Sequence, residues 1–293
     1  MLITKPLNEL QNELPIGIKL PDGKFYKQFS FKDWLWPEEE AVAKLKQQGK
    51  SMGDFIIDVL RLMLTELGGT PVTNISKDEF TVTMLNAYIA DVFYMYVYLR
   101  FESVGPELPM QLRCMRCGKD YKVTGDLAQF DIVTHQPSKV VKAEDGAQNE
   151  LQEGEDGAPV TEDFNPNEYA FEEVELFKGI EYRGKKYMTA ILKPGKWSVM
   201  RSIGQGDVNE AAIKKQMLQS AVSGLPGLED MPSFVFTDEM LRSLHKRDLE
   251  KLIAASTRIN AGPEMSVETT CKHCRAMNKY PLDWTYDNFF VQS

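Results

Sequence analysis

The chain has 293 residues, 43% hydrophobic and 26% charged, with 43 acidic against 34 basic side chains and a formal net charge of −9. That length suffices for two domains of ordinary size, and the acidic balance argues against wrapping nucleic acid or coating an anionic membrane, which need surplus Lys and Arg. Four cysteines are too few for a disulfide-dense secreted scaffold, and the first ten residues lack the continuous apolar run of a secretory signal.

Taken in order, residues 17–26 read as a hairpin turning at Pro21, Asp22 and Gly23. A helix opens after Trp34 and Trp36, with Pro37 in its first turn and glutamates facing the positive end of the dipole. Residues 52–64 repeat apolar side chains at helical spacing and predict a second helix ending at Gly68 and Gly69. Ser76 and Glu79 form a capping box that starts a third helix running to about Arg100. Residues 80–99 are apolar enough to raise the question of a membrane span. Asn86, Asp91 and the hydroxyls of Thr81 and Thr83 point instead to a buried helix, whose tyrosines would also suit a subunit interface.

Residues 121–124 and 130–135 have strand character. Composition then changes: residues 136–168 carry eight carboxylates from Glu144 to Asp163 and almost no large apolar side chains before Phe164. Such a stretch buries too little surface to offset its chain entropy and predicts a flexible acidic linker or loop. Beyond it come a strand-forming run from Val174, a second hairpin over 179–187 continuing to Leu192, and Trp197. Helices are predicted over 207–222 and 237–253, separated by the glycines and prolines of 224–232. A strand near 279–282 leads to an aromatic tail, Trp284, Tyr286, Phe289 and Phe290, expected to pack on the neighbouring cysteine segment.

The cysteines carry the chemistry. All four fall in two Cys-x-x-Cys pairs, Cys114 with Cys117 and Cys271 with Cys274, the spacing with which two thiolates grip one tetrahedral zinc ion. Gly118 can take the positive φ that such a knuckle needs; no glycine follows Cys274. The surroundings of the pairs align without a gap: Gly105, Pro106 and Glu107 precede the first as Gly262, Pro263 and Glu264 precede the second, an offset of 157 (271 minus 114). Asp126 maps onto Asp283 by the same offset, and the hairpin glycines Gly17 and Gly179 open similar stretches. The expectation is an α+β chain of two pseudo-repeated halves, residues 1–135 and 169–293, joined by the acidic segment 136–168 and by one structural Zn2+ held by Cys114, Cys117, Cys271 and Cys274.

Four thiolates leave no open position for water, so the metal reads as structural and the chain as non-enzymatic. His135, His245 and His273 fall in no zinc-protease frame, and a dithiol redox centre would need a knuckle at a helix N-terminus. Gly204 and Gly206 lack the lysine of a phosphate loop. Arg113, Arg116, Lys119 and Lys122 on one knuckle, with Lys272, His273, Arg275 and Lys279 on the other, allow a second reading, a zinc-ribbon nucleic-acid adaptor. The alternative account is that these cations neutralise a zinc-thiolate centre of net charge −2.

With its motifs located, the chain resembles the T4-type baseplate and baseplate hub assembly proteins of contractile-tailed phages. The resemblance rests on residues 2–7 with the hairpin that follows, on Cys114, Cys117 and Gly118 followed by Val123, Asp126 and Leu127, and on Cys271 and Cys274 with Leu282, Asp283, Phe289 and Phe290. Met115 stands where a proline is common in such knuckles. The resemblance implies a non-catalytic component of the baseplate or of its assembly, binding other phage tail proteins. It places the protein in the host cytoplasm during assembly or in the virion tail, with no membrane role.

Overall fold

The computed structural model describes residues 2–135, 172–201, 210–228, 234–259, 261–264 and 266–290; the acidic segment 136–168, Gly204, Gly206, Met231 and Pro232 lie outside them. Strand β1 (Leu2–Pro6) and one helical turn, α1 (Leu7–Leu10), lead into the hairpin of β2 (Glu13–Lys19) and β3 (Phe25–Phe31). Helix α2 (Trp36–Lys46) carries Pro37 in its first turn as expected, and α3 (Met52–Met63) buries Phe55, Ile56, Val59, Leu60 and Met63. That second helix stops earlier than predicted. Leu64 leaves it in an extended conformation and β4 (Leu64–Leu67) pairs with β3, so the hydrogen-bonding edge of the hairpin decides the state of these residues rather than Gly68 and Gly69. The two glycines turn the chain into β5 (Thr70–Pro71), giving a sheet of order β2-β3-β4-β5.

The predicted third helix is two. Ser76 caps α4 (Lys77–Asn86), and α5 (Ile89–Val104) starts anew after an extended Ala87 and Tyr88. The break is a tertiary effect: Trp197 N–H donates to Ala87 O, Ile89 N–H to Gly195 O, and Tyr88 pairs with Lys196, so the distant segment takes over bonds the helix gives up. Asp91 and Arg100 are fully buried in α5, and no helix among the described residues is long and apolar enough to cross a membrane.

Strands β6 (Glu107–Arg113) and β7 (Asp120–Asp126) form the first cysteine hairpin, followed by β8 (Asp131–His135). The second half has β9 (Glu172–Tyr182), β10 (Lys185–Leu192), a 3-10 turn over Trp197–Arg201, α6 (Glu210–Ala221) and β11 (Val222–Gly224). Then come α7 (Asp238–Ser243), α8 (Lys246–Arg258), β12 (Gly262–Pro263), β13 (Ser266–Thr270), β14 (Met277–Pro281) and the turn α9 (Tyr286–Phe289). The helix expected over 237–253 also breaks, at an extended Leu244 and His245, where His245 Nδ1 accepts the Arg247 N–H at 3.2 Å and caps α8.

The order of elements recurs. In each half a hairpin is followed by a helix running directly into a strand that pairs with the hairpin's second strand: α3 and β4 on β3, α6 and β11 on β10. Two helices and a cysteine hairpin follow. Both first hairpins are bulged, between Glu13 and Ile18 and opposite the step from Tyr187 to Thr189, and both bulges are held by an aspartate in the first turn of the last helix. Asp91 accepts the N–H groups of Ile16 (2.8 Å) and Gly17 (3.1 and 3.2 Å), and Asp248 those of Phe177 (2.6 Å), Lys178 (2.8 Å) and Gly179 (3.2 Å). Each carboxylate thereby satisfies donors that the bulge removes from the ladder.

Two main cores result. The second is built from β9, β10 and α8 with residues such as Ile180, Leu192, Leu218, Phe236 and Leu252. The first, around α3 and α5, also takes in Trp197, Met200, Leu282, Tyr286, Phe289 and Phe290 from the far end of the sequence. The aromatic tail is therefore packed, but away from the cysteine ribbon: Phe290 stacks on Trp34 with centroids 5.2 Å apart, Phe289 on Tyr96 at 5.6 Å, and Trp284 meets Phe93 edge-on at 4.9 Å. Apolar area on α5 outweighs what the small ribbon can offer. Arg100 ties this tail down, donating to the carbonyls of Phe289 (2.5 Å), Gly105 (2.5 Å) and Glu107 (2.7 Å). Strand β12 crosses in the same sense, pairing with β8 in the order β1-β8-β12.

Candidate metal centre

The first knuckle turns between β6 and β7. Cys114 N–H donates to Lys119 O and Gly118 N–H to Cys114 O, both at 2.9 Å, with Gly118 at φ 70°. The second repeats this bond for bond: Cys271 N–H to Ala276 O and Arg275 N–H to Cys271 O, both at 2.9 Å. Arg275, 157 residues after Gly118 (275 minus 118), takes the same left-handed conformation at φ 58°. The turn therefore forms without the glycine that marks it in the first knuckle, at the steric cost of a Cβ in that region.

The two knuckles meet. The four Sγ atoms all lie within 4.8 Å of one another, with Cys114 to Cys274 at 3.6 Å and Cys117 to Cys271 at 3.8 Å. Four sulfurs at ~2.3 Å from a central zinc would stand ~3.8 Å apart along each tetrahedral edge, whereas a disulfide needs about 2.05 Å. The close pairs join one knuckle to the other, so the donor set fits a shared tetrahedral cation and offers no open coordination position. Cys114 and Cys271 are buried, Cys274 half-buried and Cys117 exposed.

The surroundings of Cys114 favour thiolate. Backbone N–H groups of Cys117 and His273 point at the sulfurs of Cys114 (3.5 Å) and Cys271 (3.4 Å). Buried Asn278 directs Nδ2 to Cys114 Sγ (3.7 Å) and to Ala276 O (2.9 Å), while its Oδ1 accepts the Met115 N–H (3.3 Å). Backbone donors, led by Cys117 N–H, bring the Cys114 thiol down to about 6. At Cys274 the Ala276 N–H acts in the same direction, but burial and three neighbouring thiols outweigh it and push the group up to about 11. Four thiols this close ionise together only with a cation among them. Tyr121 and Tyr280 pack beneath the sulfurs, hydroxyls 3.3 Å apart, and Tyr280 Oη donates to Arg113 O at 2.9 Å.

Of the expected basic residues, Arg113 bonds Gly118 O with Nε at 3.1 Å and His273 Nε2 lies 3.2 Å from Asp120 O, so the ring is turned to the opposite knuckle rather than to the metal position. Lys279 faces away, held by Glu264 at 2.8 Å and Glu268 at 3.6 Å. Asn278, Asp91, Asp248 and Arg100 were not singled out as structural residues by the sequence. For the aspartates a signal was present, since they too are 157 apart (248 minus 91).

Neither the curated proteins nor the solved structures contain a match. Residues 13–153 match the family described as T4 bacteriophage base plate protein, a stretch that holds the first bulged hairpin, Asp91 and the first cysteine pair. Over that stretch the chain is similar to the T4 bacteriophage base plate protein family.

Proposed function

We propose that the chain is a non-enzymatic structural or assembly component of a phage tail baseplate that binds other tail proteins, and that one structural zinc ion on Cys114, Cys117, Cys271 and Cys274 fastens its two halves. The observation that carries this reading is the convergence of two cysteine pairs, 157 residues apart, on one closed four-sulfur site, in a chain whose first half matches a baseplate family. A closed site supplies folding energy rather than an activated water. The recurrent element order, with the paired aspartates and knuckles, supports an internal duplication, residues 1–135 and 169–293 being the two copies and 136–168 the acidic connection.

The role is tested by complementation. A phage deleted for this gene should yield no complete baseplates by electron microscopy and be rescued by the wild-type gene, while Cys114→Ser with Cys271→Ser should fail to rescue. Normal baseplates from the deleted phage would contradict the role, and full rescue by the cysteine variant would contradict the structural metal.

A further inference from the structure

The two cysteine hairpins turn one strand edge each toward a common groove of about 520 Å³, walled by Val123–Asp126 of β7 and Ser266–Thr269 of β13 and floored by Phe130. Which backbone groups face it follows from the ladders. Cys114 N–H donates to Lys119 O and Leu127 N–H to Pro106 O, so by antiparallel alternation Tyr121, Val123 and Gly125 bond to β6. Thr124 and Asp126 therefore present N–H and C=O on the opposite edge. In the second hairpin Cys271 N–H donates to Ala276 O, which assigns Val267 and Thr269 to the bonds with β14 and turns Ser266 and Glu268 outward. Among the described residues no backbone hydrogen bond joins β7 to β13. Two open ladders on one cavity are a template for an added strand.

Charge selects the strand. Asp126, Asp131, Glu264 and Glu268 line the groove against the cation Lys279, which already holds both glutamates. A polyanion or an anionic lipid surface is repelled there, and an extended segment bearing Lys or Arg is attracted. We propose that this groove takes a basic, extended segment of another tail protein as a strand bridging the two hairpins, an inference that rests on reading the chain as a binder of tail proteins. The metal then has a second consequence: by fixing one knuckle against the other, it sets the spacing of the two edges.

The probe is a fluorescein-labelled eleven-residue peptide alternating Lys with Val and Thr, titrated into the full-length protein alongside the same peptide with Glu in place of Lys. The lysine peptide should bind at least tenfold more tightly, weaken with salt, and protect the Thr124 and Glu268 amides from hydrogen exchange. Thr124→Pro and Glu268→Pro remove one outward N–H each without touching the bonds to β6 or β14, and each should weaken binding at least tenfold. Asp131→Asn with Glu268→Gln, which leaves the backbone intact, should weaken it several-fold. Equal binding of the two peptides, protection elsewhere, or unchanged affinity in both proline variants at unchanged metal content would overturn the proposal. So would protection of these amides by the protein alone as its concentration rises, which would make a second copy the occupant. Any of these results would leave the baseplate role standing if complementation succeeds.

Discussion

Asp91 and Asp248 hold matching bulges, yet their environments pull them apart. Burial pushes Asp91 up to about 7, against the Ile16 and Gly17 N–H groups that lower it. At Asp248 burial acts in the same direction, but three N–H bonds outweigh it and keep the group below its ordinary value. An acid whose folded value is raised costs stability as pH rises from about 4 toward about 7 and no further; at ~1.4 kcal/mol per unit the decline is about 4 kcal/mol. An acid whose folded value is lowered stabilises above its unfolded value and loses that contribution as pH falls through the folded one. Asp91→Asn is therefore expected to flatten the fall in melting temperature between pH 4 and 7, and Asp248→Asn to preserve that fall while lowering stability at pH 7 by about 1–3 kcal/mol. Thermal melts across this range check both, and an unchanged slope in Asp91→Asn would refute the assignment. Arg275 gives a second expectation: Arg275→Gly relieves the left-handed conformation and should raise stability by roughly 0.5–1 kcal/mol in denaturant titrations.

Among the elements, hairpins and cysteine turns were legible because local chemistry specifies them: glycines, prolines and the Cys-x-x-Cys spacing act over a few residues. The amphipathic α3 was legible for the same reason, and its end was not, because Leu64 becomes a strand only when β3 lies beside it. The break at Ala87 escaped the sequence because residues 77–104 are continuously compatible with helix and only the segment around Gly195 and Trp197 stops them. Trp197 is the clearest such long-range element. It is fully buried, donates Nε1–H to Gly53 O at 3.1 Å and meets Phe93 edge-on at 4.9 Å, anchoring the second half in the first half's core. Trp197→Ala should destabilise the protein by about 3–5 kcal/mol and raise susceptibility to proteolysis. A loss below ~1 kcal/mol in urea unfolding would show that this anchor does not join the halves. Arg100 and the C-terminal aromatic tail work alike, and nothing in their local sequence announces where they dock.

On the scale of the whole molecule, the proposed tail role asks the protein to hold its shape while other subunits bear on it, and the chain crosses between its N-terminal and C-terminal parts at several places: Trp197, β12, the aromatic tail and the four cysteines. The first three act by burial and strand pairing, and the cysteine crossing is the one for which we propose an ion. Its measurement is metal analysis of purified full-length protein by inductively coupled plasma mass spectrometry, beside Cys114→Ser and Cys271→Ser. The account predicts one zinc per chain, lost from both variants although each retains a complete Cys-x-x-Cys pair. Metal-free wild-type protein, or one variant that keeps its zinc when the other loses it, would contradict a single ion shared between the two knuckles.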